Sequence, residues 1–189
     1  MPLEERRAER SGSFEEIKAM SEHTPSHLSG SAVFISGSLS ITALPEPVIE
    51  RIGGIIERAL PILIGDARGV DRLVQRHLAD RDIAAVTVYC SGEGPRNNLS
   101  DWPVRNIPSS GRKGTAAYHV PKDAAMARDA FSGLVVWDGR SRGSLANIHR
   151  LAAQRRFIMI WFGPEARFIT LRSDSDRDSF LEAYPCRNL

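Results

Sequence analysis

The sequence has little cysteine. Cys90 and Cys186 are the only thiols in 189 residues, too few for a disulfide framework or a structural zinc site, and both are expected to be reduced. No apolar run approaches the roughly 20 residues of a membrane span. The charged N-terminus lacks the apolar stretch of a signal peptide. Neither sign of charge dominates: 25 Lys and Arg stand against 23 Asp and Glu, a formal net charge of +2. The surface as a whole is therefore not drawn to nucleic acid or membrane, and any polyanion site needs a local basic cluster. There is no P-loop and no Gly-x-Gly-x-x-Gly after a strand. His119, His149, Cys90 and Cys186 show no metal-ligand spacing. We expect a soluble cytoplasmic protein with no metal, no cofactor and no membrane partner.

What is present alternates. Residues 1–30 are polar and end in a Ser/Pro/His/Gly stretch, which reads as an extension to a domain spanning 31–189. Ser13 and Glu16 have capping-box spacing, and Phe14, Ile17 and Met20 form a short apolar stripe. A loosely attached tail is the expectation, with a helix docking on a partner subunit as the alternative. Beyond it, apolar runs predict strands at 31–36, 61–65, 84–90, 133–138 and 157–162, with one more at 166–173. Helical periodicity predicts helices at 45–60, 69–81, 121–131, 144–156 and 174–184. Strand runs that do not alternate are covered on both faces, and the intervening helices suit βαβ crossovers. The fold class expected is α/β: a Rossmann-like, doubly wound, mostly parallel sheet with helices on both faces. Such sheets bind ligands outside the carboxyl ends of their strands.

Four segments fall at those ends or at a helix start: "SGSLS" with Gly37 and Ser38, "GDARGVD" with Gly65, Asp66, Arg68 and Gly69, "PKDAAMARD" with Lys122 and Asp123, and "DGRSRGSLAN" with Ser141, Gly143 and Ser144. Small residues let backbone N–H groups approach a ligand, and a helix N-terminus adds partial positive charge, so together they suit a phosphate. Arg68, Lys122, Arg140 and Arg142 offer full charges. For Asp66, ligand contact and a pairing with Arg68 both stay open. Asp71 is read as a first-turn carboxylate complementing the helix dipole, in preference to the alternative of contact with a ligand's sugar hydroxyls. His77 lies on an apolar helix face and is read as a packed histidine.

"ISGS", "GDARGVDRL", "KDAAM" and "SRGSL" after "VVWDG" resemble the SLOG superfamily, in particular its YspA-like branch. That branch's pattern runs Gly-Asp-Ala-x-Gly-x-Asp, then Arg-Asn-x-x-Met, then Ser-x-Gly-Thr. The resemblance covers roughly residues 31–162. Relatives include the lysine-decarboxylase-like cytokinin-activating phosphoribohydrolases and the DNA-processing protein DprA. The resemblance implies a Rossmann-like fold and a pocket for a nucleotide or nucleotide-derived molecule, held by a sensor or by an enzyme acting on an N-glycosidic bond. A DprA-type nucleic-acid-binding module is the alternative, and a homo-oligomer is expected. Lys122-Asp123 stands where Arg-Asn is usual, which keeps a cation but loses the bidentate fork. Aligning Gly143-Ser144 with the hydrolases' Gly-Thr puts Asn147 where their motif carries a catalytic Glu. An amide is no general base, so their hydrolysis does not transfer directly.

Residues 91–120 read as one long segment, either functional or disordered. In it Trp102 and Tyr118 are candidates to stack on a base, and Arg96, Arg105, Arg112 and Lys113 to reach phosphates.

Overall fold

The computed structural model describes residues 31–186. The proposed extension, with its capping-box spacing and apolar stripe, lies outside them. The centre of the sheet is β1 (Val33–Gly37), with β2 (Ile62–Gly65) on one side and β5 (Ser132–Trp137) on the other. The full order is β4-β3-β2-β1-β5-β6-β7, where β3 is Val86–Ser91, β4 Val104–Ile107, β6 Phe157–Phe162 and β7 Arg167–Leu171. All neighbours are parallel except β7, which runs antiparallel to β6. This is the α/β, mostly parallel architecture expected from the alternation of apolar runs and helical periods.

The two faces carry separate cores. Helices α1 (Glu46–Glu57) and α2 (Val70–Ala79) cover one face, where Val48, Ile52, Val74 and Leu78 meet Val33, Ile35, Ile64 and Val88. Helices α3 (Ala116–Asp129), α4 (Arg142–Ala153) and α5 (Asp174–Ala183) cover the other, where Met126, Ile148, Leu151 and Phe180 meet Phe34, Val135 and Ile160. Phe34 points to one core and its neighbours Val33 and Ile35 to the other, so β1 must be apolar throughout. Each such buried aliphatic side chain contributes about 1.5–3 kcal/mol.

The chain first winds outward from β1 through β2 to β3. It then returns across the sheet by α3 to β5 and winds the other way. Right-handed crossovers in opposite directions put the helices on opposite faces. The order therefore reverses between β1 and β5, and a crevice opens at their carboxyl ends.

Residues 91–120 depart from the expectation of one long segment. They contain β4, which pairs with β3 from Val88↔Val104 to Ser91↔Ile107, and α3 starts five residues before the expected 121. Pro121 lies inside that helix rather than at its first turn. No helix joins β3 to β4. Trp102 fills the core there instead, 5% exposed within the core on the face that α1 and α2 cover, its indole N–H donating to the Ile83 carbonyl at 2.7 Å. Trp102 is thus a core residue, not a platform for a base. Among the described residues, no helix is long and apolar enough to cross a membrane.

Candidate functional site

A cleft of about 240 Å³ opens at the crevice between β1 and β5. Ser36 and Gly37 reach it from the end of β1, Gly65 from β2, and Ala67 and Asp71 from the turn into α2. His119, Lys122 and Asp123 come from α3, and Ser141, Gly143, Ser144 and Asn147 from the start of α4. Four segments that are far apart in sequence thus share one wall.

One end of the cleft is a hydroxyl cluster. Asp138 follows β5 and accepts from the N–H groups of Arg140 and Ser141, at 2.9 and 2.7 Å, and from the Ser40 hydroxyl at 2.6 Å. Burial pushes its carboxyl up, but these donors outweigh it and hold Asp138 down at about 2. The fixed turn makes Ser141 the N-cap of α4, where its hydroxyl accepts from Ser144 N–H at 3.3 Å. Ser144 Oγ lies 3.0 Å from Ser141 Oγ and 3.3 Å from Ser38 Oγ. Ser38 in turn accepts from Asp138 N–H at 3.1 Å. A helix's first turn leaves N–H groups without intrahelical partners. Ser141 takes those of Ser144 and Leu145, while Gly143 faces the cleft. A Cβ built on Gly143 meets nothing within 4 Å.

The other end is a buried charge cluster. Lys122 is 4% exposed, and its Nζ lies 2.7 Å from Asp123 Oδ1. Burial lowers its pKa, yet Asp123 and Asp71 outweigh that and keep it an ammonium. Asp71 accepts from Ala67 N–H at 3.1 Å, and burial pushes its carboxyl up to about 6 against the pull of Lys122. Both groups stand over Gly65, where a Cβ would strike Asp71 Oδ2 and come within 3.0 Å of Lys122 Nζ. Only glycine lets them close over the end of β2. His119 lies beside Arg96, Nε2 to Nη1 at 3.3 Å. Burial, then Arg96 and Lys122, lower its pKa, and its shielded Nδ1 has no partner among the described residues.

Asp66 does not pair with Arg68. It is 1% exposed and accepts from three groups of Arg96: the backbone N–H at 3.0 Å, Nε at 3.0 Å and Nη2 at 2.7 Å. Burial raises its pKa, but the Arg96 hydrogen bonds outweigh that and lower it. Gln75, fully buried, donates to Gly65 O at 2.8 Å and Asn97 O at 3.2 Å. Asn97 donates to Asp66 O at 2.8 Å. Residues 96–99 are therefore sewn to the β2–α2 turn, and Arg96, a candidate phosphate ligand in the sequence, is an ion-pair partner.

Of the residues singled out in the sequence, Gly37, Gly65, Lys122, Asp123, Ser141, Gly143 and Ser144 line the cleft, and Ser38 backs it through Ser144. Asp66 lies beneath, holding Arg96. Arg68 and Gly69 lie outside, along a separate groove. Gly69 adopts φ +73°, and a Cβ there would come within 2.6 Å of Ser38 O, so its place is explained by the seating of α2 against the β1 loop. Asp71, for which the helix-dipole role is the preferred reading of the sequence, and His119, which has no role in that reading, both line the cleft. Asp71 looks like an ordinary first-turn carboxylate, and His119 carries no motif. His77 is half-buried, its Nδ1 3.1 Å from Arg81 Nη1. Among the described residues, no three His, Cys, Asp or Glu side chains are grouped to hold a metal ion.

The chain matches no family model, no curated protein and no solved structure. The four motifs are the only support for the resemblance to the SLOG superfamily.

The Asp71 carboxyl should titrate near pH 6. Its folded pKa lies above the unfolded value of 3.8, so its contribution to stability is complete below about 3.8 and is lost as pH rises through about 6. Relative to the native chain, Asp71→Asn should gain about 1 kcal/mol between pH 5 and pH 7. Chemical denaturation at the two pH values, with carboxyl NMR, checks both; a difference that does not change with pH would contradict the burial argument.

Proposed function

We propose that the cleft binds a nucleotide or nucleotide-derived small molecule, as the SLOG resemblance implies, in a sensor or in an enzyme. The observation that carries this reading is the pairing of two unlike ends within one cleft at the reversal of strand order. The hydroxyl cluster and the open Gly143 at the start of α4 suit a phosphate. The Asp71–Lys122–Asp123 cluster offers both acceptors and a donor to sugar hydroxyls or base edges. Lys122 sits among carboxylates, so the phosphate belongs at the α4 end and the nucleoside at the charged end.

Calorimetry against a panel of nucleoside 5′-monophosphates tests this. Gly143→Val should leave the fold intact, since a Cβ there meets open space, and should weaken binding about tenfold or more by keeping the phosphate off the helix terminus. Unchanged affinity in a folded Gly143→Val protein would remove the phosphate from that place.

The rival nucleic-acid reading leaned on cations of residues 96–113. Arg96 is held by Asp66 and Arg105 by Asp129, each at 2.7 Å, which takes two of them out of the inventory. A cytoplasmic location and a homo-oligomer remain part of the proposal, and sedimentation of the full chain tests the latter.

A further inference from the structure

A second groove, of about 460 Å³, runs between the β1–α1 loop and α2. Arg68, Arg72 and Arg76 line it. Their spacing of four residues puts Arg72 and Arg76 on one face of α2, about 6 Å apart along its axis, with Arg68 continuing the row in the turn before the helix. All three are exposed. Among the described residues none of the three is in an ion pair, and no other element places three arginines along one groove. No acidic residue lines the groove. Three like charges in a row repel one another unless an anion lies among them. The guanidinium fork matches phosphate oxygens in pairs.

The groove adjoins the cleft at Leu39, which lines both and is 49% exposed, so a ligand that reaches from one to the other passes over it. Ile41 and Leu73 extend that apolar surface along the groove. A mononucleotide with its phosphate at the α4 terminus would leave the arginines without a partner.

We infer that the ligand is a dinucleotide: one nucleotide occupies the cleft, and the second crosses Leu39 and gives its phosphate to Arg68, Arg72 and Arg76. This rests on the cleft reading above and narrows its ligand class. The test is calorimetry at low salt with the four ribonucleoside 5′-monophosphates and their 5′-phosphorylated dinucleotides. In the native chain the preferred dinucleotide should bind about tenfold tighter than its mononucleotide, and added salt should erode that preference. Arg72→Gln/Arg76→Gln, at exposed positions, should fold normally by thermal melting, abolish the preference and leave mononucleotide affinity unchanged. Arg51→Gln/Arg58→Gln removes the same charge from a different cavity and should keep the preference. Mononucleotide binding with no dinucleotide preference, or a preference that survives Arg72→Gln/Arg76→Gln, overturns the inference and spares the cleft reading. No binding of either class overturns both.

Discussion

Asp66→Ala should destabilise the fold by about 3 kcal/mol, a fall of roughly 6–12 °C in melting temperature for a domain of this size. The Asp66 carboxylate is buried and receives three hydrogen bonds from one residue 30 positions away. Removing it leaves the Arg96 backbone N–H without its acceptor and frees the guanidinium. Arg96 is about half exposed and regains water, which keeps the loss at the low end of the range for a broken buried pair. Thermal melting of Asp66→Ala beside Arg68→Ala is decisive, because Arg68 is the partner that local spacing suggests. Arg68→Ala should stay within about 0.5 kcal/mol of the native chain. Hydrogen exchange at residues 96–99 should quicken in Asp66→Ala alone. Equal losses in the two variants would contradict the Asp66–Arg96 assignment.

The second large effect concerns chemistry. The native chain should release base from nucleoside 5′-monophosphates slower than a phosphoribohydrolase with the motif Glu, by about 10²–10⁴ in rate, the usual contribution of a general acid or base. Asn147 lies in the cleft, 6% exposed. Its amide is tied at both ends: Oδ1 accepts from Arg150 Nη1 at 2.8 Å, and Nδ2 lies 3.5 Å from Ser36 Oγ. It neither ionises nor takes up a proton in this pH range, and its hydrogen bonds hold it as a wall. Chromatography of free base, with Asn147→Glu in parallel, checks this. Brisk release by the native chain would overturn it. Release that appears only in Asn147→Glu would support it.

The central strands were legible because burial on both faces demands apolar residues at every position. "FIMIWF" coincides with β6, and "PILIG" overshoots β2 by one residue. β4 was not legible. "VRNI" is an edge strand with three of its four residues exposed, so its sequence carries no burial pattern, and Pro103 and Pro108 on its flanks read as loop punctuation. The start of α3 was missed because a proline near a helix start is commonest in its first turn, whereas Pro121 lies well within α3 and forgoes one backbone hydrogen bond.

The site divides in the same way. Residues within two of the motifs kept their company in space: Ser141, Gly143 and Ser144 share the α4 start, and Lys122 and Asp123 share the buried cluster, whereas "GDARGVD" splits, with Gly65 and Asp71 in the cleft and Arg68 and Gly69 along the separate groove. Partners across motifs were invisible, since spacing carries no information on the reach from Asp66 to Arg96 or from Gln75 to Asn97. Trp102 misled for a related reason. An aromatic side chain in a polar segment suggests a ligand platform, but here the missing β3–β4 helix left a gap in the core that the indole fills.

Amide NMR of the full chain during titration with nucleoside 5′-monophosphates tests the central claim most directly. Binding at the reversal of strand order predicts that the largest shifts fall on Gly143 and Ser144, with smaller ones at Gly37, Gly65 and Asp71, and none at the distant cavity lined by Arg51, Arg58 and Phe131. Shifts confined to that cavity, or no shift at any nucleotide in the panel, would contradict the account.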